Sequence, residues 1–396
     1  MGILANSVSI CHFEVRGEYP AGDLFTWAGE CLARHAFQPI EHSAEESSVG
    51  WVHLDDHQSS CFDTMAAFRR DHHLAFTLRR DIRRLPAPLV KAYLAEAETA
   101  FLSANPNFRR VPKQKREELK ETVRLSLFAR TLPSPATFDL LWDTRSGLVT
   151  FTSLSPKVIE LLEIHFKKSF PGLRLVVIHP FARAERVLDE AGREELQKAN
   201  LAGSDAVLDL ISSNRWIGTD FLLWLMYRTM NDSGEYRINR HGPAGEGEPF
   251  VAYLNDRLVL RGGGDEGIQK ITVAGPQDHF SETFTALKTG KQIIEATLYL
   301  EKDDERWKTT LKGELFHFGA FRSPPVKIER DDTTDPQSER EAVFFERMFL
   351  LETGLQLFDS LYAAFLTVRL GNRWGTMLRT IQQWLEAEEE PGPTSE

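Results

Sequence analysis

The stretch Arg79-Arg80-Asp81-Ile82-Arg83-Arg84-Leu85-Pro86-Ala87-Pro88-Leu89-Val90-Lys91 decides the reading of this chain. Residues 74–80 alternate as a strand that runs into it. Pro86 and Pro88 then open a helix to residue 102, with Leu89, Tyr93, Ala97 and Phe101 at helical spacing. A strand that hands over to a proline-started helix through a run of arginines mixes both element types and concentrates positive charge at their junction. Downstream, Asn105-Pro106-Asn107 breaks the helix, and a second one is expected over 113–130. Upstream, residues 7–15 alternate as a strand. Residues 23–35 read as a helix, with Leu24, Trp27, Ala28 and Cys31 on one face.

Residues 137–142 and 148–152 read as a hairpin around 143–147, followed by a helix over 156–170 and a strand over 173–178. Beyond residue 180 the pattern loosens. Residues 239–249 read as a surface loop, 250–254 and 257–261 as a hairpin across Asn255-Asp256, and 262–264 as a glycine break. A helix over 281–288 precedes strands over 292–301 and 306–318. A polar linker at 331–337 leads to a long helix over 338–370 and a shorter one to 384. The fold class expected is α+β, with mixed antiparallel sheets and helices. The regions expected are 1–85, 86–180, 181–335 with an insertion at 213–267, helices over 336–385, and a disordered acidic tail at 386–396.

The chain has 396 residues, 47 Lys/Arg and 58 Asp/Glu, and a formal net charge of −11, so a uniformly basic nucleic-acid coat is excluded. The charge is uneven. Residues 69–130 carry 15 Lys/Arg and 7 Asp/Glu, a local balance of +8 that leaves −19 for the remainder. Within that segment Lys113, Arg116, Lys120 and Arg124 form a basic stripe at helical spacing. The stripe reads either as a solvated face or as a set of phosphate contacts. Cys11, Cys31 and Cys61 are widely spaced and unpaired by motif, which fits a reducing compartment. No signal peptide or membrane span is expected, and the reading is cytoplasmic.

Catalytic motifs are sparse. His53-Leu54-Asp55-Asp56-His57 and Asp71-His72-His73 have metal-ligand chemistry, but no HExxH or CxxC accompanies them. Thr289-Gly290-Lys291 lacks the remainder of a phosphate loop, and no GxSxG elbow occurs. No enzyme, cofactor or metal is expected. The alternatives kept open are a metal-dependent nuclease or hydrolase using His53, Asp55, Asp56 and His57, and an interaction adaptor docking through the aromatic-rich C-terminal helix.

The quoted stretch resembles the basic run, Leu-Pro-x-Pro and helix start of the RdgC family, bacterial recombination-associated DNA-binding proteins. Gly50-Trp51-Val52, residues 116–123, Trp142-Asp143 and Gly147-Leu148-Val149 continue the resemblance in order. So do Gln277-Asp278, Ser281-Glu282, Gly290-Lys291 and Leu350-Leu351-Glu352-Thr353-Gly354. The resemblance implies an elongated multi-domain subunit in a ring-shaped homodimer. It implies sequence-independent binding of double-stranded DNA in the nucleoid, and modulation of a RecA-type recombinase. The DNA-binding residues it suggests, with the charge map, are Arg79, Arg80, Arg83, Arg84, Lys91, Lys113, Arg116, Lys120, Arg124 and Lys291. Leu132, Pro133, Phe349 and Phe358 are the expected dimer contacts. Departures are Gly275-Pro276, where the family often has basic residues, and the long stretch at 213–267.

Overall fold

The structure is a computed structural model that describes residues 2–43, 45–264, 267–275, 280–327 and 335–387. Gln277-Asp278, most of the expected linker and residues 388–396 of the expected tail lie outside the described residues. Helices and antiparallel strands are mixed, as an α+β chain requires. The polypeptide forms two compact units from non-consecutive segments. One takes residues 16–147 and 160–174, and the other the described parts of 1–15, 148–159 and 175–396.

The smaller unit is built on three antiparallel strands. The long strand His73–Ile82 lies between Ser47–His53 and Ser134–Asp143. It is buried for most of its length because it has neighbours on both edges and apolar cover. The cover includes the helix Leu24–Arg34 and residues 160–169. Trp51, Phe76, Trp142, Phe166 and Phe170 meet at centroid separations of 4.7–6.4 Å. Trp51 also donates its indole N–H to Ser169 Oγ at 2.8 Å, so its one polar atom is satisfied in the core. Gly50 precedes it for a steric reason: a Cβ there would lie 2.3 Å from Phe37 Cα, where the segment through Ala36 bridges Trp51.

The larger unit carries a longer antiparallel sheet. Its order is Gly267–Ala274, Pro249–Gly264, Gln292–Lys302, Glu305–Lys312, His317–Arg322 and Ser7–Gly17, which also pairs with Leu148–Phe151. The helix Pro336–Arg369 packs on this body together with Trp216–Asn231 and Pro180–Val187. Trp307 Nε1 donates to the Leu350 carbonyl at 2.8 Å, and Gly354 leaves room for that indole, since a Cβ would fall 2.5 Å from Trp307 Cδ1.

Three expectations are corrected. Residues 250–261 are not a hairpin. They belong to one strand, Pro249–Gly264, in which Asp256 has φ 63° and residues 255–257 bulge opposite Thr297. Residues 306–318 are not one strand, because the chain turns at 313–316 and returns as His317–Arg322 with Lys312 opposite His317. The loosened region after residue 180 holds four helices: Pro180–Val187, Glu190–Lys198, Val207–Ser213 and Trp216–Asn231.

Candidate nucleic-acid interface

The basic segment forms an insertion into the smaller unit's sheet. Ile82 and Ser134 are opposite one another in register, and between them the chain makes an excursion of two helices, Ala87–Ala104 and Lys113–Arg130. Pro88 in the first turn of one and Pro112 before the other supply the fixed φ with which a helix starts. The helices pack on each other as an arm whose 18-residue members are each about 27 Å long. The first buries no residue and the second only Leu127 and Phe128. Leu89, Tyr93, Phe108, Leu125 and, at 79% exposure, Leu132 stand in solvent on or beside it.

Strand alternation sorts the arginines at the foot of the arm. Arg79, Asp81 and Arg83 point to one face and Arg80 to the other. Arg79 lies over the Phe37 ring, donates to the His57 carbonyl, and grips both oxygens of Asp81 at 2.8 and 2.9 Å. The Asp81 carboxylate raises the Arg79 pKa above its ordinary value. Arg83 is 2% exposed, and its guanidinium donates to the carbonyls of Ile40, Glu41, Ser43 and Glu45 at 2.5–3.1 Å. Arg83 is therefore withdrawn as a phosphate contact: it is a buried brace holding the backbone of Ile40, Glu41, Ser43 and Glu45. Arg79 is withdrawn with it, because its donors are already engaged. Arg80 is half-buried.

Three of the four cations of the basic stripe on the second helix are held in ion pairs. Arg116 meets Glu98 of the facing helix at 2.6 Å, Lys120 meets Glu117 at 3.5 Å, and Arg124 meets Glu46 at 3.6 Å. Such exposed pairs are worth ~0–1 kcal/mol each, and their cations are neutralised by a carboxylate of the same chain. Among the described residues, Arg84, Lys91, Arg109, Arg110, Lys113 and Arg130 are exposed with no hydrogen bond or ion pair to the side chain. Arg109, Arg110 and Lys113 sit at the tip of the arm. Arg84 and Arg130 sit at its base, with Lys91 a turn above. Arg109, Arg110 and Arg130 are not among the expected contacts, because the first two lie in the connection between the helices and the third at the end of the second, off the helical stripe.

Lys291 belongs to the other unit, where its ammonium donates to Thr289 Oγ1 at 3.0 Å. Of the expected dimer contacts, Leu132 and Phe349 are exposed and Pro133 is half-buried. Phe358 is corrected: it is fully buried among Phe221, Phe316, Phe318 and Tyr362 and offers nothing to a partner.

The residues of the hydrolase alternative do not converge. Asp55 pairs with Arg70 at 2.6 Å, and Asp56 Oδ1 accepts from the Gln58 N–H. His53 bonds the Cys61 carbonyl through Nε2, and His57 faces Asp139 at 3.8 Å. No helix among the described residues is long and apolar enough to cross a membrane.

Residues 25–190 match the family described as "Putative exonuclease, RdgC". That span takes in the three-stranded sheet and the whole arm. The resembling fragments at 281–291 and 350–354 lie outside it. No curated protein matches the chain.

Proposed function

We propose that this chain, a member of the RdgC family over residues 25–190, binds double-stranded DNA without reading its sequence. It does so as a non-catalytic homodimer acting in recombination. The observation that carries the reading is the arm: a helical projection with unpaired cations at both ends, on a chain whose residues outside 69–130 carry a net charge of −19. Between residues 84 and 130 stand 10 Lys/Arg and 5 Asp/Glu, against a net charge of −11 for the whole chain. A duplex is attracted to the arm and repelled elsewhere. The two cation groups lie about 25 Å apart along the helices, which spans roughly seven base pairs of a strand at ~3.4 Å per nucleotide. Mobile arginines and lysines contact phosphates and fix register without discriminating bases.

The same arm supports the homodimer. A two-helix projection that leaves Leu89, Tyr93, Leu125 and Leu132 in water is covered economically by a second copy of itself. A dimer joined in this way, and again through another surface, closes a ring around the duplex. Such a protein occupies the duplex that a RecA-type recombinase acts on, and modulates strand exchange by competition. The test is binding to two duplexes of unrelated sequence, with the solution mass measured alongside. Equal affinities and a two-chain mass are expected. A strong preference for one sequence, or strand cleavage on prolonged incubation with Mg²⁺ or Mn²⁺, overturns the reading.

A further inference from the structure

At the end of the strand His73–Ile82 remote from the arm, two turns meet. The short strand Arg69–Arg70 folds back onto the long one, with Arg70 opposite His73 and Asp71 turning the corner at φ 54°. On the other edge His73 is in register with Asp143, the last residue of its strand. Thr144 locks the corner, its N–H and its hydroxyl both donating to the His72 carbonyl at 3.2 and 2.6 Å. This brings one donor atom each from His72, His73 and Asp143 within 4.8 Å of one another. The two imidazole centroids are 4.0 Å apart, and His72 Nε2 is 3.9 Å from Asp143 Oδ1.

We propose that His72, His73 and Asp143 bind a divalent transition-metal ion of the zinc type. Two imidazoles and a carboxylate are a donor set that such ions favour over Mg²⁺ or Ca²⁺, which take oxygen. With metal–ligand bonds of about 2.0–2.2 Å, tetrahedral donors stand roughly 3.4 Å apart, so modest side-chain rotation closes the site.

The surroundings orient the donors. His72 Nδ1 is 2.6 Å from Asp71 Oδ2, which leaves Nε2 for the metal in the carboxylate–histidine–metal order that fixes the tautomer. Asp143 Oδ1 accepts from the N–H groups of Arg145 and Ser146, and Oδ2 from the Ser146 hydroxyl, so the carboxylate is held in place. Arg145 reaches Asp71 at 3.9 Å and is largely exposed, free to swing outward. His72 and Asp143 keep a quarter of their side chains in solvent, so a water completes the tetrahedron.

The ion clamps the start of the central strand to the end of its neighbour. Nine residue steps, about 30 Å of strand, separate it from the foot of the arm. The clamp is therefore independent of the DNA-binding reading.

The experiment is calorimetric titration of the chelator-treated full chain with ZnCl₂, repeated with Co²⁺ followed by visible absorption. One ion per chain and the intense Co²⁺ bands of a tetrahedral site are expected. Saturable binding is lost in His72→Ala and in Asp143→Asn, and kept in His57→Ala. Asp71→Asn suits the positive φ and keeps the ligands, and it weakens affinity by about 10–100-fold. Absence of saturable Zn²⁺ binding overturns the proposal, as does binding that survives both ligand substitutions. Because His72 and Asp143 are partly exposed, circular dichroism of those variants separates ligand loss from unfolding.

Discussion

Replacing Arg109 and Arg110 together by glutamine removes two of the six unpaired cations of the arm and leaves both helices their lengths. Each phosphate neutralised contributes ~0.9 to the slope of log affinity against log salt. Six contacts per chain give a slope of about −5.4, and raising salt from about 50 to 200 mM then weakens binding by on the order of 2 × 10³-fold. The double variant, with four contacts, has a slope of about −3.6 and loses on the order of 10²-fold over the same range. If both arms of a dimer hold one duplex, each slope doubles, but their ratio stays near two thirds. Fluorescence anisotropy of a labelled duplex at several salt concentrations measures it. Arg116→Gln is the control: its guanidinium is already held by Glu98 at 2.6 Å, so the slope moves by well under one unit. A double variant with the parent's slope, or with a loss confined to one DNA sequence, refutes the reasoning.

Arg83→Met leaves the salt slope unchanged and destabilises the fold, because four carbonyls lose a charged donor in a buried site; about 3–5 kcal/mol is expected in urea unfolding. A wild-type midpoint with a reduced slope would restore Arg83 to the interface. Gly50→Ala places a methyl 2.3 Å from the Phe37 backbone and costs about 1–3 kcal/mol, read as a lowered Tm with DNA affinity per folded chain intact. Burial lowers the pKa values of His165, His179 and His317 to about 4. The unfolded chain takes protons near pH 6.5 where the folded chain does not, so stability is full above about 6.5 and falls as pH drops from there toward 4. Thermal unfolding across that window shows it, and His317→Gln flattens the fall; a Tm that rises on acidification contradicts the assignment.

Much of the arm was legible in its own residues. The proline starts, the Asn-Pro-Asn break and the apolar spacing predict two helices, and the second is found over Lys113–Arg130 as expected. The run Arg79 to Arg84 reads in sequence as one set of phosphate contacts, whereas the fold turns Arg79 and Arg83 inward to Asp81 and to backbone carbonyls. What local spacing does not carry is the partner from afar. Glu98 and Glu46 neutralise Arg116 and Arg124 from other elements, and the carbonyls that hold Arg83, those of Ile40, Glu41, Ser43 and Glu45, lie some forty residues upstream. Asn255-Asp256 has the composition of a hairpin turn, but here the positive φ serves a bulge within an unbroken strand. The same limit hid the three-donor cluster: His72 and His73 are visible as neighbours, while Asp143 joins them only through strand register. Helical-face logic also favoured a stripe of cations over those at helix ends.

The arm leaves and rejoins the sheet at Ile82 and Ser134, which face each other as the first rung of two antiparallel strands. A load applied at the arm's tip is therefore delivered to both strands at the same end. It acts to peel them apart rung by rung, and does not slide one past the other against many bonds together. Peeling is the weaker mode, so the joint yields under tension unless its opening step is guarded. Arg83 is the residue directly after that rung. Its four bonds to the carbonyls of Ile40, Glu41, Ser43 and Glu45 act as a strain relief at the point where a molecular lever meets its mounting.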